Sequence, residues 1–227
     1  MDYAALRFAE NGYHPTSVAE IVTGMGVGKG VFYWYFSSKE ELFTEILRES
    51  QLDLRKAQQA AIGHEEDAVV RITTGIRASM AWLSAHRHLY TLTEFAASDE
   101  RFRPMLRRAQ DIAVADLTRH VKDAIVAGQI TDADPLIFSH AILGVTNQLA
   151  RAFVHHRGMA PEEVADSAVA FCLGGLGGLQ GAPAPGAGRG VLAAPGPGTT
   201  ADGYPTDATT SVADGGTTTT GAPHRSV

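Results

Sequence analysis

The sequence predicts an all-α protein, and three observations carry that reading. Apolar residues recur at spacings of three and four from about residue 38 to residue 175. No stretch alternates apolar and polar residues convincingly, as a half-buried strand would. Ser, Asp, Pro and Gly fall where helices start and stop. Composition bounds the rest. A chain of 227 residues that is 44% hydrophobic can bury a core in one or two domains. Its single cysteine, Cys172, allows no intramolecular disulfide and points to a reducing, cytoplasmic setting. The longest apolar run, residues 168–179, is broken by glycines and falls short of the ~20 residues that span a bilayer, so no membrane partner is expected.

Residues 2–11 read as a shortened first helix, with Leu6 and Phe8 apolar and Asn11-Gly12 as its stop. The stretch 16–42 organises the rest of the chain. Ser17 with Glu20 three residues later is a capping box, in which each side chain can satisfy the other's free backbone N–H. Val18, Ile21 and Val22 give the helix at 18–25 one apolar face, and Gly26 is a stop that tolerates positive φ. A second short helix, about 27–35, comes next with almost no linker, so the two must cross steeply. Phe32 and Phe36 are expected in the core, with Lys29, Tyr33, Trp34 and Tyr35 exposed. Ser37 or Ser38, backed by Glu40 or Glu41, caps a long helix over 38–62 carrying Leu42, Phe43, Ile46, Leu47 and Leu54 on one side. Two short helices crossing at a tight glycine turn form a helix-turn-helix pattern, whose second helix enters the major groove of DNA.

The next helix covers 65–86, with Val69, Ile72, Ile76, Met80 and Leu83 at helical spacing, and a shorter one covers 88–97. Ser98-Asp99 opens a long helix to Ala127, stopped by Gly128. Asp134-Pro135 starts another that runs to His156 and ends at Gly158, because Pro is welcome at a first helical position. Pro161 opens the last, ending near the Gly174-Gly175 pair. That makes nine predicted helices. From Gly177 onward Pro, Gly, Ala and Thr dominate, and six of the ten prolines lie at or after Pro183. Such a segment cannot bury enough surface to offset its ordering entropy, so a disordered tail without assigned function is expected.

Three submotifs now combine. They are F-A-E-N-G-Y-x-x-T-S-V-x-x-I at residues 8–21, G-V-x-K-G-x-x-Y-x-x-F at 26–36 and S-K-E-E-L at 38–42. Together they resemble the DNA-binding head of the tetracycline-repressor (TetR) family. The resemblance implies a head over residues 1–45 and a ligand-binding and dimerisation body over 46–178, while composition alone marks the tail over 179–227. It implies a homodimeric regulator, usually a repressor, that binds palindromic operator DNA and is released by a small-molecule inducer. It also implies a longer, often basic lead-in before the first helix.

Lys29 and Lys39 lie in first helical turns, where backbone N–H groups already favour anions, and so are the candidate phosphate partners. Thr16 and Ser17 can also hydrogen-bond phosphate, one of them while capping. By resemblance the Tyr33 hydroxyl touches the DNA backbone, with Trp34 and Tyr35 packing on sugar or backbone. Gly28, Gly30 and Val31 carry no hydrogen-bonding side chain, so base readout rests on Lys29, contact of Val31 with a thymine methyl, and DNA shape. Charge runs against this. The whole chain is net −6, and residues 1–50 hold four basic side chains against seven acidic ones, where a basic footprint is the norm. A second reading therefore stands beside the first: a helical ligand-binding or interaction protein that no longer binds DNA.

Candidate effector-lining residues are Met80, Trp82, Leu83, Tyr90, Phe95, Phe102, Met105, Phe138, Leu143 and Asn147. His140, Asn147, Gln148 and Arg151 interrupt an otherwise apolar helix and must find partners if buried. Few acids and several aromatics point to a small hydrophobic effector. The last two helices alternate small and large residues (Ala141, Gly144, Val145, Ala152, Ala165, Ala168, Phe171), which lets helices approach closely. By resemblance they form a four-helix dimer interface. His86-x-His88 and His155-His156 lack metal-ligand spacing, so no metal or cofactor is expected, and both pairs are expected to be solvated. No catalytic constellation emerges, so the chain is not read as an enzyme. Cys172 is expected to be buried and inert.

Overall fold

The computed structural model describes residues 1–177, with side chains through residue 175; the expected tail lies outside the described residues. Side-chain caps set most helix starts. Ser17 Oγ accepts from the Glu20 N–H at 3.1 Å and opens α2 (Val18–Gly24), which follows α1 (Asp2–Asn11). The capping box is only half made, because the Glu20 carboxylate turns to α1, accepting from Arg7 Nη2 at 2.7 Å and Asn11 Nδ2 at 3.0 Å. α3 (Lys29–Tyr35) precedes α4 (Lys39–Ile62), whose cap is Ser38 accepting from the Glu41 N–H at 3.1 Å. In return Glu41 accepts from the Ser37 N–H at 2.7 Å.

Gly26 takes φ +68°, which an L side chain rarely adopts. The Val27 N–H reaches the Val22 carbonyl at 2.9 Å and the Gly26 N–H that of Thr23 at 3.1 Å, the paired bonds of a Schellman stop. At Gly24 the constraint is steric: a Cβ there would lie 1.8 Å from the Tyr3 hydroxyl oxygen, so a larger residue requires the Tyr3 ring to move aside.

Asp67 caps α5 (Ala68–Ala85), which therefore starts three residues later than the apolar spacing predicts. α6 (Arg87–Ser98) follows. The long helix expected from Ser98-Asp99 begins instead at Arg103, as α7 (Arg103–Val126). Pro104 explains the shift: it has no N–H to give and is tolerated only in a first turn, so residues 99–102 become a connecting turn. α8 (Pro135–Leu149) is capped by Asp134 and passes into a π-helical turn, Ala150–His155, before α9 (Pro161–Gly177). The described residues contain no strand.

Two hydrophobic clusters hold these helices. The body cluster joins α5, α7, α8 and α9 through Ile72, Ile76, Met80, Val121, Ile142, Val154, Ala165 and Ala168. Cys172 is buried in it, and burial pushes its thiol pKa up, as expected for an inert group. The head cluster contains Phe8, Tyr13, Ile21, Phe32, Phe43 and Leu47. It is completed by Leu92 and Ala96 of α6 and by Phe102 just before α7. Burial beyond residue 85 is thus what closes the core of the first four helices.

Candidate nucleic-acid interface and effector region

The Gly26 turn aims α3, and Phe32 pins it. Phe32 is buried and meets Phe36 at 5.7 Å between ring centroids. The opposite face is open: Tyr33 is 57% exposed, Trp34 84%, Tyr35 70% and Val31 49%. Gly28, Lys29 and Gly30 are exposed, and nothing lies within 4 Å of a Cβ built on either glycine. Lys29 has no ion-pair or hydrogen-bond partner among the described residues. The result is a short helix carrying one unengaged cation, three aromatic side chains and two bare backbone positions on a surface that can meet a groove.

The other expected phosphate contacts are engaged within the protein. Thr16 is fully buried, and its hydroxyl donates to the Gly12 carbonyl at 2.8 Å, with the Arg7 carbonyl at 3.3 Å. It clamps the loop between α1 and α2 and presents nothing to a phosphate. Lys39 donates from Nζ to the carbonyls of Tyr13 (2.8 Å), Thr16 (2.9 Å) and His14 (3.2 Å), and sits 4.5 Å from the Tyr13 ring centroid. All three ammonium protons have acceptors. Burial, followed by repulsion from Arg101, lowers its pKa. Lys39 therefore ties the loop to α4: its ammonium supplies the donor for three loop carbonyls, although burial disfavours the charge itself. Ser17 remains exposed with its oxygen in the cap. Of the remaining head bases, Arg7 pairs with Glu20 and Glu10, and Arg48 with Glu45.

The expected effector residues do not converge on one cavity. Met80 is fully buried in the body cluster, with Leu83 packed against that cluster. Trp82 stacks on His86 at 4.3 Å. Phe95, Phe102 and Met105 belong to the head cluster instead: Phe102 lies 4.7 Å from Phe43 and 5.5 Å from Tyr13, and Phe95 stacks on Tyr13 at 5.1 Å. They are packing residues because the turn before α7 folds down onto the head. Leu143 is half-buried, and Asn147 is exposed together with His140, Gln148 and Arg151, so these polar residues need no buried partner. One hollow of about 280 Å³ lies among Ala61, Ala78, Ala81 and Ala165, rimmed by Arg77 and Glu162. Another of about 200 Å³ lies between α8 and α9, where Phe138 is the one expected effector residue in its lining.

Polar packing inside the body was missed from the sequence. Arg55 of α4 pairs with Asp116 of α7 at 2.6 Å, and Arg71 of α5 with Asp123 of α7 at 2.6 Å. Between them His120 keeps a buried Nδ1 without a hydrogen-bond partner among the described residues, and burial lowers its pKa. Asp116, His120 and Asp123 stand at i, i+4 and i+7, a polar stripe on one face of α7 that periodicity could have revealed. His155 was expected to be solvated; instead it stacks on Tyr90 at 3.7 Å, half-buried, with Nε2 unpartnered and a lowered pKa. Burial, followed by the bond to Glu94, raises the Tyr90 hydroxyl pKa.

Comparison with known proteins agrees with this architecture. The family model for bacterial regulatory proteins of the tetR family matches residues 1–46, and that for the tetracyclin repressor-like C-terminal domain matches residues 65–176. The HTH-type transcriptional regulator YfiR of Bacillus subtilis is 29% identical over 143 residues, covering 60% of this chain and 68% of the relative. The fatty acid metabolism regulator protein of the same organism is 27% identical over 94 residues, covering 41% of this chain and 48% of that protein. Among solved structures, the fatty acid degradation regulator FadR from Bacillus halodurans shares the fold at a TM-score of 0.70 and 19% identity, over 77% of this chain and 93% of that one. No helix among the described residues is long and apolar enough to cross a membrane. With its head and body both matched, the chain belongs to the TetR family of DNA-binding transcriptional regulators.

Proposed function

We propose that this protein is a homodimeric repressor that binds a palindromic operator through α3 and is released by a small hydrophobic effector. Residues 1–45 act as the DNA-binding head and 46–178 as the effector and dimerisation body. The observation that carries the reading is the outward display of Lys29, Val31, Tyr33, Trp34 and Tyr35 on a short helix anchored by Phe32. Lys29 and Tyr33 reach phosphate oxygens, and Val31 with the bare backbone at Gly28 and Gly30 lets α3 sit deep in the major groove.

A dimer is needed because two recognition helices must reach successive major grooves, roughly 34 Å apart. The outer faces of α8 and α9 suit that role: Leu136 is 51% exposed, Ile137 65% and Phe171 67%, with Ala141 and Gly144 exposed beside them. Ala165 and Ala168, expected to share this interface, are buried within the protomer instead, because α9 packs them against α5.

An effector that favours one arrangement of the body would act on the head by two routes. One is α4, which is continuous from head to body. The other is the turn before α7, whose Phe102 is embedded in the head cluster. Allosteric coupling of about 1–3 kcal/mol, the usual range, weakens DNA binding roughly 5- to 150-fold. Two similar proteins carry names from fatty acid metabolism, which supports an apolar effector.

The test is a mobility-shift titration of operator DNA at low and physiological salt, with Lys29→Ala and Tyr33→Ala beside the parent protein. Each variant should weaken binding by about 1 kcal/mol or more, and Lys29→Ala, which removes one phosphate contact from each protomer, should lower the salt slope of the dimer by about 2. The paired state of Arg7, Arg48 and Lys39 favours the rival reading, an effector-binding protein without DNA affinity. That rival gains if the parent protein fails to bind at either salt.

A further inference from the structure

Three consecutive residues tie the first turn of α4 to three different parts of the chain. Lys39 reaches back to the loop between α1 and α2, donating to the Tyr13 carbonyl at 2.8 Å. Glu41 holds the short link from α3, accepting from the Ser37 N–H at 2.7 Å and from the Ser37 hydroxyl. Glu40, between them, accepts from Arg101 Nη1 at 3.4 Å, and Arg101 lies in the turn before α7. Only residues 36–38 separate α3 from α4, and Glu41 fixes the middle one, so the direction of this turn sets the direction of α3.

An isolated surface ion pair contributes little, because two long side chains lose freedom to make it. Arg101 is already ordered before it meets Glu40. Asp99 accepts from its Nε at 3.0 Å and from its Nη2 at 2.7 Å, a bidentate grip. The guanidinium carbon also lies 5.4 Å from the ring centroid of Tyr13 and 5.3 Å from that of Phe102, both members of the head cluster. The nitrogen left over, Nη1, is the one that faces Glu40.

We propose that Arg101 is a positioning residue for DNA binding: by holding Glu40 it fixes the angle at which α3 meets the major groove, and it touches no DNA itself. The inference rests on the reading of α3 as the DNA-binding helix. It gives the turn before α7 a polar contact with the start of α4, beside the apolar one made by Phe102.

The test uses the full chain and a labelled duplex that the parent protein enriches from a randomised pool, with binding measured by anisotropy across a salt series. Arg101→Met and Glu40→Gln should each weaken binding roughly three- to tenfold, the loss of one exposed pair in each of two protomers. The double variant should be no weaker than the worse single one, because both remove the same contact. The salt slope should stay at the parent's value, since no phosphate contact is lost. Charge alone gives Glu40→Gln the opposite sign: removing an acid near DNA should tighten binding. With Trp82→Phe as background, Trp34 on α3 is the sole tryptophan. Its fluorescence anisotropy in the free protein should fall in both variants well below their unfolding temperature, a change that lower stability by itself does not produce. Tighter or unchanged binding by Glu40→Gln overturns the proposal, and so does an unaltered Trp34 anisotropy. A salt slope lowered by about 2 in Arg101→Met also overturns it, since Arg101 would then be a phosphate contact in each protomer. If the parent enriches no duplex, the DNA-binding reading itself fails, an outcome distinct from binding that ignores Arg101 and Glu40.

Discussion

Replacing Phe102 by Ala tests whether the head's core truly depends on a residue from the body. Phe102 is 1% exposed and touches three aromatic rings, with centroids at 4.7 Å (Phe43), 5.5 Å (Tyr13) and 6.2 Å (Phe95). Removing a buried phenyl ring costs about 3–5 kcal/mol, the lost transfer energy plus the cavity that remains. The upper part of that range applies, because flat neighbouring rings on three different elements cannot collapse inward without losing their own edge-to-face contacts, each worth about 0.5–1.5 kcal/mol. A domain of ordinary stability, about 5–15 kcal/mol, would remain folded but strongly weakened. Urea unfolding monitored by far-ultraviolet circular dichroism reads this directly, with Phe171→Ala as comparison. Phe171 is 67% exposed, so that variant should change monomer stability by less than about 1 kcal/mol. If Phe102→Ala costs no more than Phe171→Ala, the aromatic cluster does not bridge head and body, and the second route from effector to head disappears with it.

Three further outcomes are expected. Phe171→Asp, placing a charge on the outer face of α9, should shift sedimentation from dimer to monomer while helicity is retained; an unchanged dimer refutes this interface. Acidification should destabilise the protein in two windows. Burial holds the His88, His120 and His155 imidazoles below their ordinary pKa, so the unfolded chain binds more protons and stability falls as pH drops through about 6.5. Asp99, held at about 2 by Arg101, adds stability present above its unfolded value and lost as pH falls from about 4 toward 2. Urea midpoints between about pH 8 and pH 5 measure the first window, and His120→Gln should make that dependence shallower; an unaltered slope counts against the buried histidine. Lys39→Met should lower thermal stability, because three loop carbonyls lose their donor, whereas a purely phosphate-binding lysine would leave the free protein unaffected.

Helix type and order were legible in the residues because the signals are local. The caps at Ser17, Ser38 and Asp134 and the Gly26 stop involve partners within five positions, so the chain states them without knowing its fold. The outward Tyr33, Trp34 and Tyr35 beside inward Phe32 follow from helical periodicity in the same way. What periodicity leaves open is which buried surface an inward residue joins. Phe95, Phe102 and Met105 read as apolar body positions, yet they complete the head, because only the path of the chain through Pro104 brings them there. The use of each charge is likewise non-local: Lys39 is 23 to 26 residues from the carbonyls it binds, and Arg55 is 61 from Asp116. The sequence by itself determined the helices and the face α3 turns to solvent. The Arg48–Glu45 pair stands at helical spacing and is local, but tertiary structure alone decided that Lys39 and the Arg7–Glu20 pair are engaged, since their partners are distant in sequence and adjacent only in space.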